Sequence, residues 1–177
     1  MRRISLVRHA EAAHTAAGSL DRHRTLTEDG RAIARALGEF LDRENLLPDL
    51  ILSSDAVRAT DTAHLLQSGA EPFCPIVVLE RLYAADPHEI LRLLCEHADE
   101  RCQHVMIVGH NPSIGALAQE LAGGETAPSP ASGSLRHFEP ATCAMFAVSS
   151  QEWESFHPSH AELRRVLKPH DYRSDHI

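Results

Sequence analysis

Ile4-Ser5-Leu6-Val7-Arg8-His9-Ala10 is a short apolar run that ends in a cation and an imidazole. Ile4 to Val7 reads as a buried strand, and Arg8-His9 stands where such a strand emerges. Ligands of open α/β sheets bind beyond the carboxyl ends of the strands. The pair is therefore placed for chemistry. An exposed dipeptide that merely ends a strand is the other reading these residues allow on their own.

Working outward, apolar strand-like runs alternate with amphipathic stretches, which favours α/β architecture. A polar loop from Glu11 to Leu26 precedes a helix that starts near Thr27, with Glu28 and Asp29 in its dipole-favoured first turn. Its apolar stripe is Ile33, Leu37, Phe40 and Leu41, at helical spacing. Leu50-Ile51-Leu52 is a second buried strand, and Ser53-Ser54-Asp55 offers capping side chains to the helix carrying Arg58. Pro75 to Leu79 is a third strand. Asp86 and Pro87 form an N-cap and first helical position. Val105 to Val108 is a fourth strand, followed at once by Gly109-His110-Asn111-Pro112 and a helix through Leu121. The Gly-, Pro- and Ser-rich stretch at 123–136 is expected to be a flexible loop. Cys143 to Val148 and Trp153 to Phe156 read as edge strands before a polar C-terminal tail. The expected architecture is a three-layer αβα sandwich on a mostly parallel sheet with an antiparallel edge, as one domain over residues 1–177.

The bulk numbers exclude several classes. A hydrophobic share of 43% and a charged share of 24% are those of an ordinary globular chain. A formal net charge of −8 argues against nucleic-acid and anionic-membrane partners. Any anion site must then be a local cluster. Cys74, Cys95, Cys102 and Cys143 lack CxxC spacing and read as small hydrophobes in a reducing compartment. The chain enters a strand without a signal-peptide apolar region and holds no run long enough to span a bilayer, so a cytoplasmic location is expected. Thirteen histidines raise the question of a metal, but none forms a HxxxH or HExxH pair, and His157, His160, His170 and His176 sit in the tail. Neither a metal nor another cofactor is expected.

Three strands deliver candidate catalytic groups. The first leads to Arg8 and His9, the second to Arg58 and the fourth to His110, with Gly109 expected to allow a sharp turn. Two arginines and two histidines at one sheet edge suit a tetrahedral dianion. Arginine offers forked donors to non-bridging oxygens. Histidine can attack phosphorus as neutral imidazole or donate a proton to the phosphoryl group.

With those residues in place, the chain resembles the histidine phosphatase superfamily of phosphoglycerate mutase-like fold, and most closely its small SixA-type phosphohistidine phosphatase branch. The resemblance rests on Leu-Val-Arg-His at 6–9, Arg-Thr-Leu-Thr-Glu-Asp-Gly at 24–30, Leu-Ser-Ser-Asp-Ala-Val-Arg-Ala at 52–59, Glu-Arg-Leu-Tyr at 80–83 and Val-Gly-His-Asn-Pro at 108–112. It implies that His9 becomes phosphohistidine, that Arg8 and Arg58 hold phosphoryl oxygens, and that His110 donates to them. Arg24 would add a phosphate contact; the alternative is a solvent-facing loop arginine.

Departures from the family pattern also carry information. Ala10 replaces the glycine of the usual Arg-His-Gly triplet, Asp55 a common proline and Asp61 a common glutamine. Mutase and acid-phosphatase branches place a glutamate two residues after the leucine equivalent to Leu82, where this chain has Ala84. Glu80 and Asp86 are the remaining candidates for a general acid, although each also reads as a structural charge. An alkoxide leaves poorly without an acid, whereas a phosphoramidate can leave as neutral imidazole, so the absence leans toward P–N substrates. The expected activity is metal-independent hydrolysis through a His9 phosphoenzyme, with a phosphohistidine-containing protein domain as the partner. A small-metabolite phosphomonoesterase and a non-catalytic phosphate or phosphohistidine reader are the alternatives.

Overall fold

Leu50, Leu52, Val105 and Ile107 lie in one buried apolar cluster, and Ile51, Met106 and Val108 lie in another. That alternation is the two-residue period of a strand covered on both faces. The residues belong to β2 (Leu50–Ser54) and β4 (His104–Gly109), the interior of a six-stranded sheet. The computed structural model describes residues 1–14, 18, 20–123 and 135–173. Its other strands are β1 (Arg2–Arg8), β3 (Ile76–Leu79), β5 (Cys143–Val148) and β6 (Ala161–Leu167). The helices are α1 (Glu28–Arg43), α2 (Val57–Leu66), α3 (Pro87–His97), α4 (Ser113–Leu121) and the short α5 (Pro169–Tyr172).

The strand order is β3-β2-β4-β1-β5-β6. β3, β2, β4 and β1 run parallel, while β5 pairs antiparallel with both β1 and β6. Leu37, Phe40 and Leu41 of α1 and Ala59, Ala63 and Leu66 of α2 pack on one face. Leu93 and Leu94 of α3 and Ile114, Leu117 and Leu121 of α4 pack on the other. This is the expected three-layer αβα sandwich. The chain leaves β1 toward the α1 face and leaves β4 toward the α4 face, so these two neighbours flank the switch point at which such sheets open a crevice.

Local sequence accounts for the helix starts. Thr27 caps α1 by accepting the Gly30 N–H (2.9 Å), and Asp86 caps α3 by accepting the Glu89 N–H (2.8 Å). α2 differs from its expected capping. Its N-cap is Ala56, which has no side-chain cap, while Asp55 pairs with Arg22 at 2.8 Å.

The carboxyl-terminal third departs most from expectation. Trp153 to Phe156 is a turn, closed by Phe156 N–H donating to the Trp153 carbonyl (3.0 Å). The indole is buried, gives its N–H to the Cys102 carbonyl (2.8 Å), and lies under the Arg2 guanidinium. An aromatic anchor with one satisfied donor resembles an apolar strand in sequence. The edge strand is β6, inside the stretch expected to be a tail. Glu162, Arg164 and Arg165 keep it half-exposed, and its register with β5 skips Arg164 between Leu163 and Arg165. Charges and a bulge blunt an edge against pairing with other chains. His157 and His160, also in that stretch, are occupied in capping a short turn at Pro158–His160. The loop expected at 123–136 falls almost entirely on residues 124–134, outside the described residues. All four cysteines are free. Among the described residues no helix is long and apolar enough to cross a membrane.

Candidate active site

The β1–β4 register pairs Val7 with Val108 and Arg8 with Gly109, which brings the two histidine-bearing strand ends side by side. The His9 N–H donates to the Gly109 carbonyl (3.0 Å). Gly109 itself is not in a left-handed conformation, contrary to the sharp turn expected of it. A Cβ there would lie 2.9 Å from Ile114 Cγ1, so the requirement is close packing of strand on helix. The His9 and His110 rings end 5.0 Å apart, centroid to centroid.

His9 is nearly buried and its two nitrogens are distinguished. Nδ1 lies 2.7 Å from the Ala10 carbonyl oxygen. A carbonyl only accepts, so Nδ1 carries the hydrogen and Nε2 is left with its lone pair. Arg58 Nε–H donates to that Nε2 at 3.2 Å. Burial, then the positive charges of Arg58, Arg8 and Arg24, push the His9 pKa down to about 4 against the opposing Ala10 hydrogen bond. At neutral pH the ring is therefore uncharged, and Nε2 is the nitrogen that could act as a nucleophile.

Arg58 comes from the first turn of α2. Thr62 holds it there, accepting the Ala10 N–H (3.1 Å) and donating its hydroxyl to the Arg58 carbonyl (2.6 Å). The guanidinium also donates to the Asp21 carbonyl (2.7 Å) and the Asp21 carboxylate (2.8 Å). Three of its five N–H donors are thereby used and two remain for an anion. Arg8 donates to the Phe138 carbonyl (3.0 Å), which Asn111 also reaches (2.8 Å). Among the described residues the buried Arg8 Nε and His110 Nδ1 have no hydrogen-bond partner. Buried polar nitrogens are seldom left so, and here they belong to the two side chains that flank His9. Burial, followed by the charges of His9 and Arg58, drives His110 down to about 3, so it too is neutral.

Arg24 lies in the loop before α1. Its guanidinium donates to the carbonyls of Ala13 (2.7 Å) and Ala12 (3.4 Å) and pairs with Asp21 (3.2 Å). It braces the loop, and its charge reaches His9. The two acid candidates line one cleft with Ala84 and each has a partner: exposed Glu80 pairs with Arg22 (3.2 Å), and Asp86 caps α3. Ala84 also lines a second cleft, with Tyr83, Gly109 and His110. The position where other branches carry the acid is thus at the site, and it is a methyl group.

Sequence reasoning missed Asp21 and Tyr83. The Tyr83 hydroxyl donates to Asp21 (2.7 Å), and its ring stacks edge-on to His110 (5.4 Å) and beneath Arg22 (4.3 Å). The Tyr83 hydrogen bond, then those of Arg24 and Arg58, hold the Asp21 carboxyl down at about 2, so it is an ionised brace and not a proton donor. The spacing of Asp21 three residues before Arg24, and Tyr83 in the Glu-Arg-Leu-Tyr segment, were the available signals.

A sequence model of the histidine phosphatase superfamily (branch 1) matches residues 4–86. An uncharacterized protein of Mycobacterium leprae, ML1117, is 32% identical over 143 residues, covering 81% of this chain and 85% of that protein. A chloroplastic protein of Arabidopsis thaliana, At3g52155, is 26% identical over 130 residues, and the aligned part spans only 60% of its length. The chain belongs to the histidine phosphatase superfamily. Among solved structures, a protein from Nakamurella multipartitia proposed as the phosphohistidine phosphatase SixA aligns with a TM-score of 0.81 at 29% identity, over 95% of this chain and 96% of that one. Its proposed SixA counterpart from Agrobacterium tumefaciens gives 0.77 at 29% identity, over 95% and 98%. Within the superfamily, the chain is of the SixA type.

Proposed function

We propose that this chain is a protein phosphohistidine phosphatase that carries the phosphoryl group on His9 Nε2. The observation that supports it is the state of His9: a neutral ring, locked through Nδ1, with its Nε2 lone pair flanked by Arg58 and by the unpartnered nitrogens of Arg8 and His110. In this reading Nε2 attacks phosphorus and the P–N bond of the substrate breaks. The departing imidazole takes its proton from water and leaves neutral. Arg8, Arg58 and His110 hold the phosphoryl oxygens as charge redistributes, and Arg24 contributes through its charge. Water then attacks the phosphohistidine, releasing orthophosphate and restoring the neutral His9.

The P–N substrate follows from Ala84. Among the described residues no carboxyl group hydrogen-bonds His110, and an alkyl ester would need such an acid where a phosphoramidate does not. The partner is a phosphohistidine-bearing protein domain, and a cytoplasmic setting fits four free cysteines.

The test incubates the protein with a phosphorylated histidine-containing domain and, separately, with an aryl and an alkyl phosphate. Phosphate release and acid-labile protein label are followed beside His9→Ala. Release from the phosphoprotein with transient label on His9 is expected. Preferred turnover of the alkyl ester would favour the small-metabolite phosphomonoesterase. Binding without turnover or label would leave only the reader.

A further inference from the structure

Ser54 ends β2 and is wholly buried. Its Oγ lies 2.8 Å from His110 Nε2 and accepts the Ala56 N–H at 3.3 Å. We propose that Ser54 is a positioning residue that fixes the proton of His110 on Nδ1, turning that N–H toward the anion pocket; the inference rests on the phosphatase reading for the role of that pocket.

Matching donors to acceptors carries the argument. A neutral imidazole has one N–H and one lone pair, and a hydroxyl has one hydrogen to place. The Ala56 N–H at the start of α2 can only donate, so it occupies a lone pair of Ser54 Oγ. Among the described residues the only other polar group within hydrogen-bond reach of that Oγ is His110 Nε2. If Nε2 held the hydrogen, it would donate to Oγ and strand the serine hydrogen without an acceptor in a closed site. It would also present the bare lone pair of Nδ1 to the pocket, where it would repel a phosphoryl oxygen. If Nδ1 holds the hydrogen, the chain runs Ala56 N–H to Ser54 O–H to His110 Nε2, and every member is satisfied. The one remaining donor is Nδ1–H, which is buried and unpartnered. A donor held that way meets the anion without reorganising.

His110 is neutral rather than imidazolium, because burial and the neighbouring Arg58 outweigh the single carboxylate of Asp21. Tautomer is thus the property left to set. The adjacent Ser53 cannot substitute, since its hydroxyl donates to the Ser54 carbonyl at 3.0 Å. One hydroxyl also ties the start of the helix that carries Arg58 to the end of the strand that carries His110.

The experiment uses the full chain, labelled with 15N, and long-range proton–nitrogen spectra, with His110→Asn to assign the ring. In the wild type His110 is expected as Nδ1–H with a bare Nε2, and orthovanadate should shift the Nδ1–H proton. Ser54→Ala should populate the other tautomer and lower kcat on the phosphoprotein about tenfold, with KM changed less than about threefold. Ser54→Thr, which keeps the hydroxyl, should restore both tautomer and kcat. A wild-type ring protonated on Nε2, or a Ser54→Ala ring unchanged in tautomer, overturns the proposal. The spectra need no turnover. A chain with the expected tautomer and vanadate response but no activity on any phosphate would refute the phosphatase reading and keep the role of Ser54. Should Ser54→Ala fail to fold, the wild-type and Ser54→Thr spectra decide alone.

Discussion

Acidification from pH 8 should leave the chemistry of His9 almost intact until well below pH 6. In the proposed reaction His9 attacks as the neutral ring, and burial, aided by Arg58, Arg8 and Arg24, holds its pKa at about 4 instead of 6.5. At pH 5.5 a group of pKa 4 is about 97% neutral, whereas an unperturbed imidazole is only about 9% neutral, a difference of roughly tenfold in active enzyme. His110, held at about 3, adds no limb in this range. The assay is kcat/KM between pH 4.5 and 8, which reports the free enzyme. An aryl phosphate is the better substrate, because phosphohistidine is itself acid-labile, and the rate is corrected for the substrate's own ionisation. A nitrogen-detected titration of the His9 ring runs beside it. An acid limb with a midpoint near 6.5, matched by the ring titration, would mean a solvated imidazole and would refute the argument from burial.

Three further outcomes follow from the same contacts. Thr62→Val removes the acceptor of the buried Ala10 N–H and should lower the unfolding free energy by about 1–3 kcal/mol; an unchanged urea midpoint would contradict that assignment. Glu80→Gln should leave kcat on the phosphoprotein within about twofold, whereas Asp86→Asn should keep both the cap and the activity; a loss of tenfold or more in either would identify the missing acid. His104 is wholly buried between Ser5 and the Leu47 carbonyl, and burial first, then the Arg3 charge, lowers it to about 4. Because the unfolded chain takes up this proton first, stability should be full above about pH 6.5 and fall as the pH drops toward 4, by up to about 3 kcal/mol. Denaturation midpoints that do not move between pH 7 and pH 5 would rule this out.

The parts of the site legible in sequence are those that punctuate strands. Arg8-His9, Arg58 and His110 each follow an apolar run at once, so chain order alone assigns them to one sheet edge. Asp21, Tyr83 and the Phe138 carbonyl act across 37 to 130 residues of chain, distances at which no local periodicity operates. In sequence Ser54 reads as a helix cap, because a serine before a helix is usually one; only tertiary packing brings its hydroxyl to His110. The same contrast holds for the fold. Strands buried on both faces, such as Val105 to Val108, are continuous apolar runs. β6 is half-exposed and bulged, so charge dilutes its alternation, while the buried Trp153 imitates a strand it does not form.

The central position of β1 has a temporal consequence. Its partners are β4, reached about a hundred residues later, and β5, some forty residues beyond that. Contacts so distant in sequence form late. During synthesis, the strand that leads to His9 emerges before either of its partners and has nowhere to dock until they have followed. The burial of His9 thus depends on strands that lie about a hundred residues and more beyond it in the chain. A chain that stopped short of β4 would hold His9 without the Gly109 carbonyl and the His110 ring that pack against it.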